Sequence, residues 1–524
     1  MTDSMTIEEV LAQDFRTLSE LISMHAAQRP GHIALRQDER SLDYRALDEL
    51  ADRIAASLQR DGVKPKQAIS ICAGASIEYA ALFLGALRAG VAVAPLAPSS
   101  TAASIASMVA DAGAPLLFVD ASVAKVLEPV RDRIAAQWVA LDDSAAGISF
   151  RKWLAPAGTA PFAVSAEPDS PFNLIYSSGT TGTPKGIVQS NMMRWRQWQR
   201  AFAYDYQPDS VTIVSTPLYS NTTLVSFLPT LAVGGTVVLM AKFDAMRFLE
   251  LAQAHRATTA MLVPVQYSRI MALPEFHRYD LSGFRAKFCT SAPFAANLKA
   301  DILKRWPGRL IEYYGMTEGG GTCVLEASKF PNKLHTVGCP APGHDIRLID
   351  EQGRELPPGS TGEIVGHSEG IMTGYHNQPA MTAEAQWLDA AGRRFIRTGD
   401  IGRFDEDGFL VLMDRKKDMI ISGGFNVYPS DLEAVLRGHA DVAEAAVVGV
   451  PSERWGETPV AFVVPKRPDP QLPKALLDWT NSQLGKTQRL AAIELVDSLP
   501  RSAIGKVLKR ELRDAYKSKA TELS

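Results

Sequence analysis

A chain of 524 residues exceeds what one hydrophobic core ordinarily supports, so two or more domains are expected. A formal net charge of −3, with 46% hydrophobic and 22% charged residues, fits a globular enzyme and leaves no basic field for nucleic acid. Cys72, Cys289, Cys323 and Cys339 show neither CxxC nor Cys/His ligand spacing, which argues against structural zinc or a disulfide scaffold and for a reducing cytoplasm.

Near the N-terminus stand Asp3, Glu8 and Glu9, with no basic stretch leading into an apolar one, so no secretory signal is expected. From residue 40 to about 240, helical periods alternate with short β-branched runs: a helix over 43–60 and strands over 67–72, 116–119 and 211–215. The most membrane-like stretch, 79–98, is interrupted by Arg88 and Gly90 and reads as a buried helix followed by a strand at 91–95, so no integral membrane segment is expected. Beyond about residue 340 short strands and turns take over, at 345–350, 362–366 and in a hairpin over 402–413 around Asp405-Glu406-Asp407-Gly408. A charged segment at 414–418 leads to a compact tail with a helix at 430–437, strands at 442–448, 459–464 and 492–499, and a basic C-terminal helix. The fold class expected is α/β: a large N-terminal domain, 1–416, of parallel-sheet α/β subdomains plus a β subdomain, and a small α+β C-terminal domain, 417–524.

The most informative run is 176–186, Tyr-Ser-Ser-Gly-Thr-Thr-Gly-Thr-Pro-Lys-Gly, placed directly after the apolar Phe172-Asn173-Leu174-Ile175. Its glycines let backbone N–H groups turn toward an anion, its hydroxyls add donors at low steric cost, and Lys185 brings a compact positive charge. Such a loop suits a polyphosphate. It is not a Walker A loop, since Pro184 stands where the second glycine of that motif belongs. Further on, Glu312-Tyr313-Tyr314-Gly315-Met316-Thr317-Glu318 offers an aromatic face for a purine and oxygen ligands of the kind magnesium takes. Taken alone, this heptad is equally a strand end with a turn. Cys289-Thr290-Ser291-Ala292-Pro293-Phe294 reads as a strand leading into a helix, and Thr398-Gly399-Asp400 as ordinary turn chemistry ahead of Arg415.

In this order the motifs resemble the adenylate-forming superfamily of acyl- and aryl-CoA ligases, luciferases and the adenylation domains of peptide synthetases, and the resemblance covers nearly the whole chain. It implies that Ser177, Ser178, Gly179, Thr180, Thr181 and Lys185 grip the phosphates of ATP. It further implies that Ser291, Ala292, Glu312, Tyr313, Tyr314, Gly315, Met316 and Thr317 form the adenine and α-phosphate site. Tyr314 stacks on the base, and Glu318, with Thr180 assisting, holds Mg2+. Asp400 and Arg415 reach the ribose, Lys417 is the hinge, and Ser422, Gly423, Gly424 and Asn426 line the route of coenzyme A. Lys506, in the run Arg501-Ser502-Ala503-Ile504-Gly505-Lys506, is the catalytic lysine, with Thr180 and Glu318 sharing the charge stabilisation. The activity implied is an AMP-forming acid–CoA ligase that makes an acyl-adenylate and then a thioester.

Around the acid the sequence departs from those relatives. Many of them have a histidine after the segment Pro217-Leu218-Tyr219, where this chain has Ser220-Asn221-Thr222-Thr223. Thr290 and Tyr313 stand where hydroxycinnamate ligases tend to have glycine. An acyl pocket of Tyr219, Ser220, Thr290 and Tyr313 is therefore expected to be shortened, favouring a compact aryl or a short- to medium-chain fatty acid. Trp195 and Trp198 read either as helix packing or as pocket border. Two other functions stay open: a stand-alone adenylation enzyme loading a carrier, and a catalytically silent nucleotide-binding homologue. The partners expected are a small carboxylic acid and a lysine acetyltransferase acting on Lys506, in a monomer or a homodimer.

Overall fold

The computed structural model describes residues 5–177, 185–415, 418–422, 425–452, 455–484, 488–502 and 505–522. Packing divides the chain into two compact units. One holds residues 1–335, 340–345 and 366–396; the other holds 336–339, 346–365 and 397–524.

Two largely parallel sheets build the first unit. In one, eight of the strands follow in the order Cys323–Glu326, Arg309–Tyr314, Ala286–Cys289, Thr259–Leu262, Val211–Val214, Thr236–Leu239, Ile33–Gln37 and Arg40–Asp43; among these eight, the first two pair antiparallel, as do the last two, and the rest pair in parallel. In the other, Gly374–Tyr375, Lys185–Ser190, Pro171–Ser177, Ala92–Pro95, Ala68–Cys72, Leu116–Val119, Gln137–Ala140 and Ile148–Ser149 follow one another. The strands at 68–72, 92–95 and 116–119 are buried along their whole length, as strands covered on both faces should be. The amphipathic helix Tyr44–Arg60 is capped by the Asp43 side chain and packs against the apolar helix Ile77–Arg88. Arg88, the charge that interrupts that apolar run, lies between Asp48 and Asp52 on the neighbouring helix, at 2.5 and 2.8 Å. Among the described residues no helix is long and apolar enough to cross a membrane.

The second unit takes up the strand Arg394–Phe404 from Arg397 on, and this part forms the expected hairpin with Leu410–Arg415, with Asp400 opposite Arg415 in register. A separate sheet runs Phe425–Val427, Ile420–Ser422, Gly456–Pro465 and Val442–Ser452, and Ala492–Leu495 adds to Gly456–Pro465 in parallel. Its core is Ile420, Val427, Leu432, Leu436, Val447, Ala461, Val463 and Leu476. The strand expected over 492–499 stops at Leu495. After the last ladder bond, from the Val496 N–H to the Val463 carbonyl, the chain turns toward Pro500, which has no N–H to donate.

Candidate active site

In the first unit the expected residues gather because neighbouring parallel strands end side by side. Tyr219 and Ser220 follow the strand Val211–Val214, Thr290 follows Ala286–Cys289, and the run 314–318 leaves the end of Arg309–Tyr314. Carboxyl ends of parallel strands are where α/β sheets place their ligands. Pro171–Ser177 and Lys185–Ser190 form an antiparallel pair, so the loop expected to bind phosphate is the connection between them. Ser178, Gly179, Thr180 and Thr181, together with the side chain of Ser177, lie outside the described residues.

Lys185 and Glu318 meet through a residue that the sequence reading missed. The ammonium of Lys185 lies 5.5 Å from the centre of the Tyr375 ring, and the Tyr375 hydroxyl donates to Glu318 Oε1 at 2.9 Å. Burial, and then the facing carboxylate, push the Tyr375 phenol up, so it stays a donor. The turn after Glu318 requires glycine: Gly319 has φ +76°, and a Cβ there would lie 1.9 Å from the Gly370 carbonyl oxygen. A single carboxylate aimed by a neutral phenol, with a hydroxyl at Thr317 beside it, is a hard-oxygen set that suits magnesium.

The heptad alternates across its strand. Tyr313 packs on one face, stacked on Phe288 with centroids 5.8 Å apart and met edge-on by Tyr204 at 5.4 Å; Phe288 is in turn stacked on Tyr206. Glu312 and Tyr314 belong to the other face. The Glu312 carboxylate is buried against the Lys299 ammonium, since strand alternation turns this side chain to the helix Ala296–Arg305 and leaves Glu312 its backbone at the expected nucleotide site. Burial raises its pKa to about 7, against the pull of Lys299. Ser291 has φ +81°, a conformation that favours glycine, and its hydroxyl bonds that of Thr222.

Of the acyl-pocket set, Thr290 and Tyr313 are joined, the Thr290 hydroxyl donating to the Tyr313 carbonyl at 2.8 Å. Ser220 is the buried N-cap position of the helix Asn221–Ala232, and the Tyr219 hydroxyl is turned to Ser99. Trp195 and Trp198 are core: both are fully buried and packed edge to face at 6.2 Å. The pocket-border reading is therefore wrong for both.

In the second unit, the Thr398 hydroxyl donates to the Ile364 carbonyl and accepts the Asp400 N–H at 3.0 Å, while Gly399 has φ +68°. The turn thus fixes Asp400 across from Arg415. Lys506 sits on a tight return in which the Ser502 N–H donates to the Lys506 carbonyl at 2.8 Å, with Gly505 at φ +78° and Arg501 bridged to Val507. Ser422 is buried and pairs with Phe425. Lys417, Gly423, Gly424 and the side chains of Arg415 and Asn426 lie outside the described residues.

Comparison with known proteins decides the family. Residues 22–376 match the family model described as AMP-binding enzyme, and residues 431–506 match the AMP-binding enzyme C-terminal domain. The chain belongs to the AMP-binding enzyme family. It is 32% identical over 96% of both chains to a fatty acid–[acyl-carrier-protein] ligase of Streptomyces coeruleorubidus. It is 33% identical to the indoleacetate–CoA ligase of Aromatoleum aromaticum, over 95% of this chain and 97% of that one. Among solved structures, ATP-bound MatB from Rhodopseudomonas palustris superposes with a TM-score of 0.86 at 28% identity, covering 96% of this chain and 99% of that one. This AMP-binding enzyme is an ATP-dependent, AMP-forming acid–thiol ligase.

Proposed function

We propose that the enzyme joins coenzyme A to a compact aryl acid or a short- to medium-chain fatty acid. The observation that carries the size limit is Tyr313, whose ring occupies an aromatic column at the expected acyl site where a glycine would leave space. We place the functional domains at 1–416 and 417–524 with the hinge at Lys417, and the buried cysteines fit a reducing cytoplasm.

A carboxylate resists nucleophiles because it is charged and oxide is a poor leaving group, so activation comes first. An oxygen of the acid attacks the α-phosphorus of ATP, the bond to the bridging oxygen breaks, and pyrophosphate leaves with that electron pair. Negative charge gathers on the non-bridging oxygens, and fixed positive charge is the main catalytic lever. Lys506 and Lys185 supply it from this chain, and Thr317 and the loop donors orient the phosphates. Glu318 with Thr180 would hold magnesium, which neutralises phosphate charge when bound. No general base is needed, since the nucleophile is already ionised. In the second half-reaction a thiol, led past Ser422, Gly423, Gly424 and Asn426, attacks the acyl carbonyl and releases AMP.

The test is ATP–pyrophosphate exchange across a panel of aryl, cinnamyl, short- to long-chain fatty and amino acids, followed by product formation with coenzyme A and with a carrier protein. Exchange is expected with compact acids, and thioester with coenzyme A. Exchange with amino acids alone, or with no acid, overturns the reading. In Lys506→Ala, adenylate formation is expected to fall at least about a hundredfold while thioester formation from preformed adenylate is retained.

A further inference from the structure

Behind the site lies a charged side chain that no carboxylate among the described residues meets. Arg194, on the helix Asn191–Trp198, is fully buried; its hydrogen-bond partners among the described residues are all amide oxygens, and its guanidinium lies 5.7 Å from the centre of the Phe172 ring. Its Nε and Nη2 donate to Asn173 Oδ1 at 3.2 and 3.0 Å, Nη1 to Gln197 Oε1 at 3.0 Å, and Nη2 to Asn221 Oδ1 at 2.9 Å and to Gln189 Oε1. Burial pulls this guanidinium down to about 9, still protonated at neutral pH. A buried cation is costly unless it is fully hydrogen-bonded, so its neighbours are held to their acceptor faces.

That requirement fixes the amide of Gln189. Its oxygen takes both Arg194 and the Asn173 Nδ2–H, at 2.9 Å from the latter, so its Nε2 is left to point the other way. It donates to the Thr317 carbonyl at 2.7 Å. A flipped amide would set N–H against the two donors and oxygen against oxygen. Four segments thereby become one network: the strands Pro171–Ser177 and Lys185–Ser190, through Asn173 and Gln189; the start of the helix Asn221–Ala232, through Asn221; and the backbone between Met316 and Glu318.

We propose that Gln189, oriented by Arg194, is a positioning residue for adenylate formation, holding the Thr317 backbone so that Thr317 and Glu318 meet the phosphates. The proposal rests on the adenylation reading above. Gln189→Glu tests it, because glutamate keeps the shape and gives Arg194 a carboxylate but cannot donate to the Thr317 carbonyl. In ATP–pyrophosphate exchange by the full-length enzyme, kcat is expected to fall at least about tenfold with KM for ATP changed less than about threefold. Thioester formation from preformed adenylate should stay within about threefold of wild type.

Undiminished kcat in Gln189→Glu overturns the proposal, as does equal loss in both half-reactions. If Gln189→Glu lowers the unfolding midpoint, the double variant Arg194→Met/Gln189→Met, which removes the cation and its acceptor together, must show the same split between half-reactions. Absence of exchange in the wild type with every acid would sink the functional reading instead. Exchange in the wild type with no change in the variants would sink this inference alone.

Discussion

Tyr313 is held by Phe288 on one side and Tyr204 on the other, while its carbonyl is bonded by Thr290, so shortening its side chain leaves the backbone anchored. Tyr313→Ala is expected to raise the ratio of kcat/KM for a cinnamic-type over a benzoic-type acid at least about tenfold, by opening the column. The cavity should also destabilise the protein by about 3–5 kcal/mol. An unchanged ratio in folded variant would remove Tyr313 from the determinants of acid size. At this scale the sequence offers most to read where the chemistry is contiguous, as in 176–186 and 312–318, whose roles are expectations carried by the motifs. It was blind to Tyr375 and Gln189, whose partners lie 57 and 128 residues away. Arg194 was equally hidden: beside two tryptophans and Arg196 it reads as one more charge on an amphipathic helix, and only the fold shows which of the two arginines is buried. Where the Glu312 side chain points was not legible from its motif, since strand alternation rather than motif membership decides that.

Elements with a strong period and a clear stop were read closely. The helix over 43–60 appears as Tyr44–Arg60 with Asp43 as its cap, and the strand at 116–119 is unchanged. What one sequence does not hold is which strands become neighbours, and with it the pairing of the helix Ala296–Arg305 with the strand Arg309–Tyr314 through Lys299 and Glu312. Both side chains are buried, and the Lys299 ammonium also donates to the Leu334 carbonyl at 2.8 Å. Removing one partner leaves a buried charge uncompensated, whereas removing both does not. Lys299→Met is therefore expected to cost about 3–5 kcal/mol, and Lys299→Met/Glu312→Leu to recover most of that loss. Chemical denaturation of the two variants checks this. A double variant as unstable as the single one would show that packing around the strand, and not the ion pair, holds this part of the sheet.

Across the whole molecule, the buried His25 and Glu312 and the half-buried His344 are among the groups that bind protons differently in the folded and unfolded chain, and their signs oppose. Burial, with help from neighbouring arginines and histidines, pulls His25 and His344 down to about 4, so below the ordinary histidine range of about 6.5 the unfolded chain takes up protons that the folded one refuses. Their contribution is present above that range and is lost as pH falls toward 4. Glu312 acts the other way: with its pKa raised to about 7, the folded form keeps a proton that the unfolded form releases, so its contribution is lost as pH rises from about 4.5 to 7. Two histidines outweigh one carboxylate, leaving a net uptake of about one proton on unfolding between pH 5 and 6, or about 1.4 kcal/mol lost per unit of acidification. Partly buried carboxylates such as Asp350 and Asp389, held low by backbone N–H groups and arginines, push in the same direction. Tryptophan fluorescence follows the first unit well, since Trp138, Trp153, Trp195, Trp198, Trp306 and Trp387 all belong to it. The denaturation midpoint it reports is expected to be lower at pH 5 than at pH 6. His25→Gln should flatten that dependence, because glutamine can still donate to the Ala232 carbonyl that His25 bonds at 2.9 Å and binds no proton in either state. A midpoint that rises on acidification, or a slope that His25→Gln leaves untouched, would mean that groups other than these histidines set the response to acid.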